Sequence, residues 1–189
     1  MSVEGLAQQL EEDRVGSIAP GYFVNCTSFT DTVKSFLTES AATDAHSLVC
    51  LAEHHQPYWR FKQFRKDLKK CGWAAIAAPA LASPKSETGT QAGVAICYRP
   101  HLDIGQAPPI GATCLEGRFV AAHLRLKGNT ITIIVIYLET GAGTSGNADR
   151  LRELAAYVLA LSGPWIIIGD WNLTPAELAS TPFLTWTGG

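Results

Sequence analysis

Trp165-Ile166-Ile167-Ile168-Gly169-Asp170-Trp171-Asn172 is the stretch that decides how this chain reads. A short β-branched run, opened by Pro164, ends abruptly in Gly-Asp-Trp-Asn. The run predicts a strand buried on both faces. Gly169 is expected to let the backbone turn tightly after it. Asp170 and Asn172 lie two apart, so in extended chain both side chains point to one side. A carboxylate and an amide at the mouth of a buried strand suit a metal-bound phosphate or its attacking water. The alternative is local. Asp170 and Asn172 would then form Asx-turns and cap the helix predicted from Pro175-Ala176-Glu177-Leu178.

Working outward, polar residues recur where apolar strands end. Gly21 to Phe29 predicts a strand with Asn25 near its end, and Ser47 to Ala52 a second that stops at Glu53-His54-His55. Asp31 to Ala42 is helical by the spacing of Val33, Phe36 and Leu37. Pro57 opens a helix through Cys71, with Phe61, Phe64 and Leu68 inward and Gly72 as its stop. Trp73–Ala80 and Gly93–Tyr98 are further strands around a loop, and residues 101–117 carry little pattern. Arg118–Leu126 and Thr130–Leu138 flank the hairpin signal Lys127-Gly128-Asn129, and Tyr137 lies near the second strand's end. A Gly-rich loop, a helix over 149–161 and the Ile-rich strand follow. Hairpins mixed with helical crossovers make the class α/β or α+β around a mixed sheet. Residues 1–16 form a helix or tail, and 17–189 one domain.

The bulk numbers agree with a globular enzyme-sized domain. The 189 residues are 47% hydrophobic and only 17% charged, with net charge −2. No apolar run reaches the roughly 20 residues that span a bilayer. The first fourteen residues are polar and acidic, so a cytoplasmic or nuclear location is the default, with no membrane partner. The five cysteines are scattered without a Cys-x-x-Cys pair, which disfavours zinc or a disulfide framework. Cys50 and Cys97 read as small core residues. Glu53 and Asp170 are hard oxygen ligands without a His or Cys cluster, which favours Mg²⁺ or Mn²⁺.

In order along the chain, Asn25 in Phe-Val-Asn-Cys, Glu53 in Leu-Val-Cys-Leu-Ala-Glu, Gly93-Val-Ala-Ile, Tyr137 in Ile-Val-Ile-Tyr and Gly169-Asp170-Trp171-Asn172 form a set. The set resembles the endonuclease/exonuclease/phosphatase (DNase I-like) superfamily, which includes abasic-site endonucleases and the nucleases of non-LTR retrotransposons. The resemblance runs from Tyr22 to Asn172. It implies a four-layer α/β sandwich, two mixed sheets flanked by helices. It also implies roles. Glu53 would bind the divalent metal, supported by Asn25 and Asp170. Asp170 would orient or deprotonate the attacking water. Asn172 would hold that water or the phosphate, and Tyr137 would contact the phosphate. His54 and His55 could touch a phosphate or a second metal, or simply line the surface, and His55 is the one expected to contact substrate.

Departures from the family pattern also count. Ala52 stands where the family has glutamine and His54 where it has threonine or serine. Leu138-Glu139-Thr140 replaces its usual loop after the tyrosine. The family's Ser-Asp-His motif lies far beyond Gly-Asp-x-Asn. The resemblance therefore implies the N-terminal portion of such a domain, incomplete at its C-terminus, poorly stable and close to inactive alone. A missing C-terminal segment or a fused reverse transcriptase would be the partner in that case. The expected function is metal-dependent hydrolysis of phosphodiesters in nucleic acid, most naturally DNA. The alternatives are a small-molecule or lipid phosphatase and a non-catalytic binding remnant. The helix after Glu53 is strongly basic, from Arg60 to Lys70. It is either a phosphate-tracking surface or a solvated face. Trp59 and Trp73 bracket it and are expected to pack in the core.

Overall fold

The computed structural model describes residues 21–44, 46–84, 86–87, 89–108 and 114–188. The N-terminal segment expected over 1–16 lies outside them. Two four-stranded sheets face each other. The first holds β1 (Gly21–Asn25), β2 (Leu48–Ala52), β6 (Val94–Tyr98) and β3 (Ala74–Ala78), in the order β1-β2-β6-β3. The second runs β10 (Trp165–Asp170), β9 (Asn129–Tyr137), β8 (Phe119–Leu126) and β7 (Ile104–Gln106). A two-stranded ribbon, β4 (Leu81–Ala82) with β5 (Thr90–Gln91), completes the strands. Both sheets are mixed: β1 is parallel to β2 and β10 to β9, and the other pairs are antiparallel.

Period-2 alternation decides what lies between the sheets. Leu48, Cys50 and Ala52 of β2 and Val94 and Ile96 of β6 meet Val120, Ala122 and Leu124 of β8 and Ile133, Val135 and Tyr137 of β9. The alternate residues face outward under helices. α1 (Asp31–Ala42) and α2 (Phe61–Lys70) cover Val49, Leu51, Ala95 and Cys97 with Val33, Leu37, Phe64 and Leu68. On the other side Ile134, Ile136 and Ala121 lie under α4 (Ala148–Leu159), through Leu151, Leu154 and Val158. Short helices α3 (Gly143–Gly146), α5 (Pro175–Ser180) and α6 (Phe183–Thr187) close that flank. The result is a four-layer α/β/β/α sandwich. Cys50 and Cys97 are core residues, with burial pushing the Cys50 thiol up to about 12.

Four expectations change. The Ile-rich β10 is not buried on both faces: it ends its sheet, and Trp165 and Ile166 are 38% and 48% exposed. Gly169 serves a close approach rather than a turn, since a Cβ there would sit 2.1 Å from the Ile136 carbonyl oxygen. The turn is made by Asn172, at φ 47°. The helix expected from Pro57 begins as a 3₁₀ turn, Tyr58–Arg60, before α2. Trp73 is buried as expected, but Trp59 is 75% exposed. Sparse apolar residues in 101–117 concealed β7, which needs only Ile104 to join the inner core.

Candidate active site

Both parallel pairs run the same way into one rim of the sandwich. Asn25 ends β1 opposite Ala52, Glu53 follows β2, and Asp170 ends β10 opposite Tyr137 of β9. Because β6 and β8 are antiparallel to these, their N-termini, Val94 and Phe119, reach the same rim. Tyr137 alternates onto the inner face with Ile133 and Val135, but alternation did not place Asn25, Glu53 and Asp170 on a face. They lie together because they sit where strands stop.

A ring of hydrogen bonds ties the rim segments. Cys26 N–H donates to Ala52 C=O at 3.0 Å, and His54 N–H to Gly93 C=O at 3.1 Å. Gly93 N–H crosses between the sheets to Gly117 C=O at 2.8 Å. Tyr137 N–H donates to Arg118 C=O and Leu138 N–H to Asp170 C=O, both at 2.9 Å. Asn25 Nδ2 donates to Asp170 Oδ2 at 2.7 Å and closes the ring. Asn25 Oδ1 accepts from Thr27 N–H, and Asp170 Oδ1 from Asn172 N–H. The Asx-turn alternative for Asp170 is therefore real, but it coexists with a long-range contact. The helix-cap alternative is not: Thr174 caps α5 through a capping box with Glu177.

Backbone strain gathers here. Thr27, Glu53, His55, Ala92 and Asn172 all have positive φ, as does only Asp44 elsewhere among the described non-glycine residues. Such conformations cost on the order of 1–3 kcal/mol each and persist where the surroundings over-determine them. Gly93, at φ +90°, makes room for His54, whose ring would lie 2.5 Å from a Cβ.

Glu53 sits beside Tyr137. Burial first, then a hydrogen bond with the Glu53 carboxylate, raise the Tyr137 phenol above its ordinary value. The Tyr137 hydroxyl also meets Thr140 Oγ1 at 3.0 Å. Asn172 stands next to Asp170, with its amide nitrogen donating to Leu138 C=O at 2.8 Å. The two histidines part. His54 is fully buried, its Nε2–H donating to Ala78 C=O and its Nδ1 accepting from Gln56 N–H. It is a core group beneath the rim. His55 is half-buried, with Nδ1 3.4 Å from Thr90 Oγ1.

Arg118, Glu139 and Arg150 escaped the sequence reading. Arg118 is buried, stacks over the Tyr137 ring at 5.4 Å and lies 3.7 Å from Glu139. Arg150 holds the same carboxylate at 2.6 Å. The buried Asn147 amide fixes the Glu139 backbone from both sides. Burial and the Arg150 cation lower the Arg118 pKa, and Glu139 and Tyr137 act against them. Arg118 Nη1 and Arg150 Nε are buried with no hydrogen-bond partner among the described residues. Two guanidinium groups share one carboxylate and concentrate positive charge beneath the rim, beside Tyr137. The signal was a lone cation opening an apolar strand directly after Gly117. Burial above all, with Glu53 adding, pushes the Cys26 thiol up to about 11, away from the thiolate form.

Among the described residues no cluster of three or more His, Cys, Asp or Glu could hold a metal ion. Two carboxylates with an amide fit Mg²⁺, which takes one or two protein carboxylates and completes its shell with water and phosphate.

No family model and no curated protein matches the sequence. Solved structures do. The human Nocturnin catalytic domain aligns at 18% identity and TM-score 0.59, over 86% of this chain and 66% of that one. The endonuclease domain of TRAS1, a telomere-specific non-LTR retrotransposon, aligns at 19% and 0.53, over 82% and 60%. An AP endonuclease from Archaeoglobus fulgidus aligns at 16% and 0.57, over 82% and 57%. The chain thus spans about three fifths to two thirds of the length of these structures. The fold is the DNase I-like endonuclease/exonuclease/phosphatase fold.

Proposed function

We propose that this chain carries the metal-dependent phosphodiester hydrolysis site of a nucleic-acid endonuclease. The carrying observation is the meeting of Asp170 with Asn25, and of Tyr137 with Glu53 and Arg118, on one rim. Glu53, with Asn25 and Asp170, would hold Mg²⁺ or Mn²⁺, and the bound ion would neutralise phosphate charge. Asp170 orients and deprotonates the attacking water, its Oδ2 kept in place by Asn25. Tyr137 and Asn172 contact the phosphate, with His55 at the margin of the same rim. The buried Arg118 guanidinium, stacked over Tyr137, adds positive charge beneath the rim and opposes the charge that develops in the transition state. DNA is the substrate best matched to an open rim with a basic helix beside it.

The test is nicking of plain and abasic-site DNA by residues 1–189 in Mg²⁺ and in EDTA, with Asp170→Ala as the blank. Slow nicking that needs both Mg²⁺ and Asp170 is expected. Identical traces for wild type and Asp170→Ala would overturn the proposal. A readout independent of turnover is Mn²⁺ binding by calorimetry or relaxation, weak in the wild type and weaker still in Glu53→Gln. Equal binding by both proteins rules out Glu53 as a ligand.

A further inference from the structure

We propose that Tyr58, Trp59 and the basic face of α2 form a docking surface for single-stranded DNA beside the rim, an inference that rests on the nucleic-acid function above. Tyr58 is 81% and Trp59 75% exposed, in consecutive positions. Large aromatic side chains are normally mostly buried, and two adjacent ones in water are unusual. Neither ring packs on another aromatic ring among the described residues. Both therefore offer faces on which bases can stack.

Their place in the fold follows from topology. Pro57 bridges to Ala80, which follows β3 at the rim end of the first sheet. The Tyr58–Arg60 turn therefore starts at the rim that carries Glu53, and α2 runs back from it toward Trp73 and the start of β3. From Arg60 to Lys70 the chain has six cations and one carboxylate, Asp67, which lies 3.9 Å from Lys70. Lys62, Arg65 and Lys69 share one face at helical spacing. Arg65 and Lys69 wall a groove of about 630 Å³, opposite Ile76 and Pro100. Its floor is β3, the edge strand of its sheet.

The chemistry selects the occupant. Cations along a groove track phosphates, and exposed rings stack unpaired bases. Duplex bases are already stacked and offer the rings no face. An anionic membrane is the competing partner for a basic helix flanked by aromatics. A helix lying on lipid needs its apolar face free, but Phe64 and Leu68 of α2 are buried in the core.

The experiment measures anisotropy of a labelled oligothymidylate, a duplex of equal length and phosphatidylserine vesicles, all in EDTA so that nothing is cleaved. Expected is preference for the oligothymidylate, weakening as salt rises. Trp59→Ala should weaken it about tenfold or more, Trp59→Phe should largely restore it, and Arg65→Glu should also weaken it. Melting curves check that the variants fold, and Trp59 is exposed enough that they should. Unchanged affinity in Trp59→Ala, or preference for duplex or vesicles, overturns the proposal. Binding without any cleavage would defeat the hydrolysis function and leave this surface standing. Cleavage with Trp59-independent binding would defeat this surface alone.

Discussion

Asn25 Nδ2 donates to Asp170 Oδ2 across 2.7 Å, joining the last residues of two strands that belong to different sheets. The bond aims the carboxylate and removes part of its freedom to rotate. Asp170→Ala should abolish detectable hydrolysis, and Asn25→Leu should lower the rate on the order of 10²-fold. Rates under single-turnover conditions check this. An Asn25→Leu protein as fast as wild type would show that the contact is only structural.

Arg118→Leu separates anion binding from folding. The substitution removes a buried Nη1 donor that has no partner among the described residues, and Arg150 still holds Glu139 at 2.6 Å. Thermal stability should stay level or rise, because an unsatisfied buried polar group costs about 1–3 kcal/mol. kcat/KM should nevertheless fall about 10–10²-fold. A parallel loss of stability and activity would instead make Arg118 a structural pillar.

Gly93→Ala should destabilise the fold by about 2–5 kcal/mol. It forces a left-handed φ of +90° on alanine and drives a methyl group into the His54 ring. Urea unfolding measures the loss. Against a His54→Ala background the steric part should vanish, so the double mutant is predicted to be non-additive.

His54 makes stability depend on acidity. Burial lowers its pKa from 6.5 to about 4. Its Nε2–H already donates to Ala78, and its Nδ1 faces the Gln56 N–H, so a second ring proton has no acceptor. Between pH 4 and 6.5 the unfolded chain holds more protons than the folded one. Stability is therefore full above pH 6.5 and falls by up to about 3 kcal/mol as pH drops through 4. Denaturation midpoints across that window test it. His54→Phe should start lower, because two hydrogen bonds are lost, and show a flatter slope.

Much of this was legible in residues. Alternation in β2, β6, β8 and β9 marked the inner core, and helical spacing marked Val33, Leu37, Phe64 and Leu68. Strand ends marked Asn25, Glu53, Tyr137 and Asp170, because a polar residue after a buried run has few other reasons to be there. What stayed hidden was non-local. β10 looks doubly buried because its β-branched run is symmetrical in sequence, and only the strand order makes it an edge. Gly169 announces a missing Cβ without saying whether a turn or a neighbouring carbonyl requires it. Arg118 and Glu139 lie twenty-one residues apart and become a pair only when β8 and β9 form their hairpin. Trp59 and Trp73 look alike in sequence, yet one lies in solvent and the other in the core.

β1 and β10 are neighbours in space, and among the described residues each ends its own sheet, with Tyr22 at 52% exposure as well as Trp165 and Ile166. Among the described residues this flank therefore carries two strand edges side by side, and each is a template on which a further strand can add by backbone pairing.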